Sequence, residues 1–257
     1  MKSFFIGIAC AFCIPALATT YQTNQKIDDL FLNAQVQGTF IVFNLQTSFY
    51  IVHNSSRAET RYVPASTFKI ANSLIGLSVG AVKNVDQLLP YGGDPQPIKS
   101  WQADMGLRDA IKISNVPIYQ ELARRIGLER MKNNVHKINY GNNDIGNHVD
   151  SFWLEGPLAI SALEQTQFLA LLAQKQLPFS KNVQDSVREI IKIDQGDDWT
   201  LYGKSGWAQN VGWWVGWVEK QGNIYSFALN MEMNSINEAP KRIELGKGSL
   251  KILGILN

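Results

Sequence analysis

The sequence has almost no cysteine and little histidine. Its two cysteines, Cys10 and Cys13, spell C-x-x-C, a spacing used by redox and zinc sites. Both fall in an N-terminal stretch that reads as a secretory leader. Lys2 is its charged start, Phe4 to Ala16 is mostly apolar, and Ala16-Leu17-Ala18 is an A-x-A cleavage pattern. Residues 1–18 are therefore expected to be cleaved, leaving residues 19–257 with neither thiol nor disulfide. A lipid anchor at Cys10 is disfavoured by Gly7, which stands where a bulky aliphatic residue is expected. The three histidines, His53, His136 and His148, show no H-x-x-x-H or H-x-H spacing. That argues against a zinc hydrolase, and no metal is expected.

Charge of one sign is also missing. With Lys2 gone, 24 basic residues become 23 against 22 acidic, a balance of +1. Nothing in that balance points to nucleic acid or an anionic membrane surface. No stretch after the leader reaches the roughly 18 apolar residues of a membrane span. The mature protein is expected to be soluble and exported, to the periplasm or the medium. A hydrophobic content of 45% with 18% charged residues describes a globular chain, long enough at 257 residues for one large core or two lobes sharing a cleft.

The patterning predicts β-structure at both ends with helices between. Thr39 to Leu45 and Phe49 to Val52 are β-branched and aromatic runs across a polar turn, which predicts a hairpin. The segment from about 64 to 176 is mainly helical in period, with Ile118 to Met131 reading as one helix. Strand character returns at Trp199. Gly212 to Val218 and Ile224 to Met231, joined at Gln221-Gly222-Asn223, predict a second hairpin, and 241–253 reads as a closing helix. The expected fold is α/β of the α+β type. It is a single domain over 19–257, with an antiparallel sheet flanked by helices and an all-helical lobe inserted.

Ser66-Thr67-Phe68-Lys69 carries the strongest chemistry, because no other serine has a lysine three residues later. At helical spacing the two side chains share a face, about 5–6 Å apart at Cβ. Pro64 suits a first helical turn, and Phe68, Ile70, Leu74 and Ile75 continue the helix inward. A serine at such a start has backbone N–H groups beside it, and a lysine one turn deeper in apolar surroundings loses proton affinity. These are the parts of a serine acyl-transfer enzyme. The alternative is a buried helix start with a snorkelling lysine. Two further signals follow. Ser114-Asn115-Val116 comes after a helical-looking segment, where Ser114 can relay a proton or cap a helix end. Lys204-Ser205-Gly206 lies in a strand-like run, Thr200 to Trp207, where cation and hydroxyl can hold an anion and glycine allows close approach.

In the order S-x-x-K, S-x-V, K-S-G, these motifs resemble those of the class D β-lactamases, the oxacillinases among the penicillin-recognising serine enzymes. Tyr140-Gly141-Asn142 matches that family's Y-G-N block. Residues 152–158 are similar to its tryptophan-containing loop, and 213–219 to the block after its K-T/S-G strand. The resemblance spans almost the whole mature chain. It implies hydrolysis of a β-lactam small molecule through an acyl-enzyme on Ser66. Lys69 would be carboxylated on Nζ by CO₂ or bicarbonate (N6-carboxylysine) and serve as general base, with no other cofactor. It further implies that Trp153 donates to the carbamate, Ser114 relays a proton and Val116 shields the lysine. The backbone N–H groups of Ser66 and Trp207 would form the oxyanion hole, and Lys204, Ser205 and Arg242 would receive the substrate carboxylate beside Gly206. K-S-G stands where many members have K-T-G, and 208–212 is short, which leaves substrate range open. The alternatives are a non-hydrolytic β-lactam sensor, a penicillin-binding wall enzyme and a wall-peptide-binding module. The protein is expected to be a monomer or a homodimer.

Overall fold

A computed structural model of the protein describes residues 20–257, so the expected leader, with Cys10 and Cys13, lies outside the described residues. The strands are β1 (Tyr21–Gln22), β2 (Gly38–Asn44), β3 (Phe49–His53), β4 (Lys192–Gln195), β5 (Trp199–Ala208), β6 (Val211–Lys220) and β7 (Asn223–Glu232). They form one seven-stranded sheet in the order β1-β3-β2-β7-β6-β5-β4, antiparallel except where β1 joins β3. Both expected hairpins are present. The β6–β7 turn uses Gln221 at φ +51° and Gly222 at φ +81°, the left-handed pair that matches strand twist in a two-residue hairpin.

The sheet is the middle of three layers, and β6 shows why. Trp213, Val215 and Trp217 enter one apolar cluster, whereas Trp214 and Val218 enter the other. Alternate side chains of a strand point to opposite faces, so a strand apolar at nearly every position must be covered on both. Helices α1 (Gln25–Asn33) and α10 (Ala239–Ile252) cover one face through Ile27, Phe31, Leu245 and Leu250. The helices of the other side are α2 (Ser55–Glu59), α3 (Lys69–Ser78), α4 (Leu107–Lys112), α5 (Val116–Ile126), α6 (Leu128–Lys137), α7 (Phe152–Glu155), α8 (Ala162–Ala173) and α9 (Lys181–Ile190), which share the apolar cluster on that face. Of these, α8 packs directly on β7 and β2, while α9 packs on α3 and α4.

Two local expectations change. The helix predicted over Ile118–Met131 is broken at Gly127, whose φ of +80° ends α5 and starts α6. Apolar period alone cannot see that break, because Leu128 resumes the same stripe after the turn. Ser66 stands one turn before the α-helix, in a tight 3₁₀ turn over Ala65–Phe68, and α3 begins at Lys69. At three residues per turn, positions i and i+3 eclipse, so Ser66 and Lys69 are aligned more directly than in an α-helix.

One feature of the sheet shapes the cleft. The pairing of β4 with β5 reaches only Lys192 against Tyr202, followed by the Gly203 N–H donating to Ile191 O at 2.9 Å. From Lys204 onward the outer edge of β5 has no strand beside it among the described residues and faces the turn that carries Ser66.

Candidate active site

Ser66 is held from three sides. Its turn begins at Ala65, a non-glycine residue at φ +51°, a backbone conformation that persists only where its surroundings enforce it. The Thr67 hydroxyl donates to Pro64 O at 2.7 Å and accepts from Gln165 Nε2 of α8 at 2.8 Å. The indole N–H of Trp213, on β6, donates to Val63 O at 2.9 Å. On the third side β5 comes close at Gly206. A Cβ there would lie 3.1 Å from Ser66 N, 3.1 Å from Pro64 O and 3.2 Å from Ala65 Cβ, so glycine is what lets the strand reach the turn.

Lys69 is fully buried, and its Nζ lies 2.7 Å from Ser66 Oγ. The surrounding wall is aromatic. Phe68 stacks on Trp153 at 5.7 Å between centroids and meets Phe152 and Tyr140 edge-on. The Tyr119 ring lies 5.3 Å from Lys69 Nζ and is fixed by its hydroxyl against Ser73 Oγ at 2.9 Å. Burial pulls the Lys69 pKa well below the ordinary lysine value, and Lys204 adds to the shift. Burial therefore favours the neutral amine facing Ser66. Trp153 is equally buried, and its indole N–H has no acceptor among the described residues.

The second motif meets the third. Lys204 Nζ donates to Ser114 Oγ at 2.9 Å and to Ser205 O at 2.9 Å. Burial first, and then the Arg242 charge, lower the Lys204 pKa to about 7. Ser114 occupies a left-handed position, φ +58°, just after α4, so it ends one helix in its backbone while its hydroxyl faces the cleft. Asn115 fixes the next step: its Oδ1 accepts from the Ile118 N–H at 3.1 Å and caps α5, and its Nδ2 donates to Trp101 O at 3.2 Å. Arg242, from α10, donates through Nη1 to Gly206 O at 2.7 Å, while its Nε is buried without an acceptor among the described residues. Burial lowers its pKa as well.

A cleft of about 530 Å³ opens over these groups. Ser66, Ser114, Val116, Ser205, Gly206, Trp207 and Arg242 line it, and Pro97, Ile98, Trp101, Ile113, Leu154 and Ile236 complete its walls. Lys69, Trp153 and Lys204 stand behind that surface. A nucleophile bonded to a buried amine, cations on one side and apolar walls on the other suit acyl transfer from an anionic substrate with apolar parts.

Comparison with known proteins decides the family. Residues 18–245 match the penicillin-binding protein transpeptidase domain. The chain is 38% identical to β-lactamase OXA-5 of Pseudomonas aeruginosa, over 94% of this chain and 93% of that protein. It is likewise 38% identical to β-lactamase OXA-48 of Klebsiella pneumoniae, over 95% of this chain and 94% of that protein. Its structure superposes on the class D β-lactamase FUS-1 (OXA-85) of Fusobacterium nucleatum subsp. polymorphum with a TM-score of 0.89. That match has 44% identity and covers 92% of this chain and 100% of the other. The chain belongs to the class D β-lactamases.

For a class D β-lactamase, every site residue expected from the sequence lies in or directly behind this cleft. Tyr140-Gly141-Asn142 stands outside it as a brace: the Asn142 N–H donates to Ala159 O at 2.9 Å, and Tyr140 packs edge-on against Phe68. Sequence reasoning missed Tyr119 and Gln165, which hold Lys69 and Thr67, and the apolar walls at Ile98, Ile113, Leu154 and Ile236. Periodicity marks an apolar residue as core unless a structure shows it exposed, so nothing in the sequence singled these out. Among the described residues no helix is long and apolar enough to cross a membrane.

Proposed function

We propose that this class D β-lactamase hydrolyses the β-lactam ring of penicillin-type antibiotics through an acyl-enzyme on Ser66 and so confers resistance. The observation that carries this reading is the 2.7 Å bond between Ser66 Oγ and a fully buried Lys69 Nζ. In acylation, Ser66 Oγ attacks the lactam carbonyl carbon and the Lys69 side chain takes its proton. The carbonyl oxygen lies against the N–H groups of Ser66 and Trp207. As the C–N bond breaks, the Ser114 hydroxyl passes a proton to the lactam nitrogen, with Lys204 replenishing Ser114 across their 2.9 Å bond. Lys204, Ser205 and Arg242 hold the substrate carboxylate, and Val116 keeps bulk water from Lys69.

Lys69 is further proposed to be carboxylated by CO₂. Its low pKa supplies the free amine that this reaction needs, and the Trp153 N–H is a buried donor in need of an acceptor. When bound, the group supplies an anionic oxygen base beside Ser66 that is suited to activating water. The leader pattern in residues 1–18 supports export to the periplasm or the medium.

The test is the time course of a chromogenic cephalosporin with the mature protein, with and without bicarbonate. Sustained turnover enhanced by bicarbonate is expected. A single stoichiometric burst with label on Ser66 would instead make the protein a β-lactam sensor or a wall-enzyme relative.

A further inference from the structure

Four of the nine large apolar side chains exposed among the described residues line this one cleft: Ile98, Ile113, Trp207 and Ile236. They fall on two sides. Ile98 and Ile113 belong to the helical wall. Trp207 and Ile236 belong to the sheet wall, together with Arg242.

Ile236 is the most exposed of the four, at 60%, yet it is not on a loose loop. It begins a 3₁₀ turn, Ile236–Glu238, that runs directly into α10. Ser235 Oγ accepts from the Asn237 N–H at 3.2 Å, and Glu238 Oε2 accepts from Asn234 N at 2.7 Å and Ser235 N at 3.2 Å. The base of the turn is fixed as well, since Met233 O accepts from Trp207 Nε1 at 2.8 Å. An isoleucine held out to solvent by a doubly capped turn loses little entropy when a ligand covers it. Its own burial is then a net gain.

The chemistry next to it decides what covers it. Arg242 lines the same wall, six residues further along the chain. In the cephalosporins the carboxylate sits on a ring carbon next to the one that bears the variable ring substituent. A substrate whose carboxylate is drawn to Arg242 therefore turns that substituent to the same wall. Building on the proposed β-lactam hydrolysis, we infer that Ile236 is a specificity-determining residue that contacts the ring substituent beside the substrate carboxylate and favours apolar groups there. The helical wall is left to the acylamino side chain, so the two ends of the substrate are selected by different residues. Because the contact is remote from the reacting bond, it stabilises ground state and transition state alike and acts mainly on KM.

The test uses two cephalosporins with the same acylamino group, one with a phenyl substituent at the ring carbon beside the carboxylate-bearing one and one with hydrogen there. The ratio of their kcat/KM values is measured for the wild type, Ile236→Asn and Ile236→Leu, and the ratio of their acylation rates at Ser66 is followed by intact mass. Covering about half of an isoleucine corresponds to roughly a fivefold preference. The ratio is expected to fall about fivefold in Ile236→Asn, largely through KM, and to be retained in Ile236→Leu. An unchanged ratio in Ile236→Asn, or an equal loss on both substrates, would overturn the inference. If the wild type is acylated but not turned over, proposed hydrolysis fails while the acylation ratio still decides the role of Ile236.

Discussion

Replacing Gly206 by alanine tests how closely β5 must approach the proposed nucleophile, Ser66. The glycine has an ordinary backbone conformation, so the substitution adds a methyl group and little backbone strain. That methyl meets Ser66 N and Pro64 O at 3.1 Å and Ala65 Cβ at 3.2 Å, two of them backbone atoms that cannot swing away. Carbon contacts are comfortable at about 3.5–4.0 Å, so the strand or the turn must give by about 0.3–0.5 Å. Because Trp207 is the next residue, the same shift lengthens the gap between the two backbone N–H groups proposed to hold the carbonyl oxygen. Complete loss of one such donor costs about 10²–10³ in kcat. A shift of a few tenths of an ångström weakens one without removing it, and a loss of about tenfold in kcat is expected. Overpacking of this kind also destabilises by about 1–3 kcal/mol. The assay is steady-state hydrolysis of a chromogenic cephalosporin together with pre-steady-state acylation, on protein whose melting temperature is measured in parallel. A variant within twofold of wild type in kcat, with an unchanged melting temperature, would refute the argument that this approach is tight.

Further outcomes follow from the same geometry. Trp153→Phe keeps an aromatic ring against Phe68 and removes the unpaired N–H together with part of the indole ring, so acylation should persist while deacylation slows and the bicarbonate requirement rises. An unchanged deacylation rate at low bicarbonate would remove that role from Trp153. Lys204 has its pKa lowered from 10.5 to about 7, so between these values the unfolded chain binds more protons than the folded one. Stability should therefore rise with pH across about 7 to 10.5, the cost of burying the charge being largest below 7. In Lys204→Met that rise should be shallower by up to about 1.4 kcal/mol per pH unit, read from chemical denaturation at several pH values. Asn115→Ala removes the cap of α5 and the tie to Trp101. A loss of about 1–2 kcal/mol, or roughly 2–8 °C in melting temperature, is expected, with a fall in kcat as Ser114 loses its anchor.

The large elements were readable because each carries a local signal. Runs rich in β-branched and aromatic residues mark β2, β3, β6 and β7, and the Gln221-Gly222 turn marks the hairpin between the last two. Ser66 and Lys69 were placed on a common face because three-residue spacing brings side chains together in either kind of helix. What sequence could not show was set by packing. The 3₁₀ form of the Ser66 turn depends on Gln165, about a hundred positions away, and on β5 pressing from the other side. Ser114 takes a left-handed conformation that its residue type does not announce. Ile98, Ile113 and Ile236 look like core residues in any apolar pattern, yet they are exposed on the walls of the cleft. The unpartnered donor of Trp153 was visible only once every neighbour had been placed.

The cations of the cleft have a consequence for the empty protein. Lys204 and the half-buried Arg242 stand beside the buried amine of Lys69, and the charged neighbours that act on Lys69 and Lys204 are themselves cations. Among the described residues no carboxylate pairs with any of the three. An anionic occupant would supply the charge that folding leaves unpaired, so binding one is expected to stabilise the fold. Simple anions at high concentration should compete for that place, and the melting temperature should register any carboxylate ligand before its hydrolysis is measured.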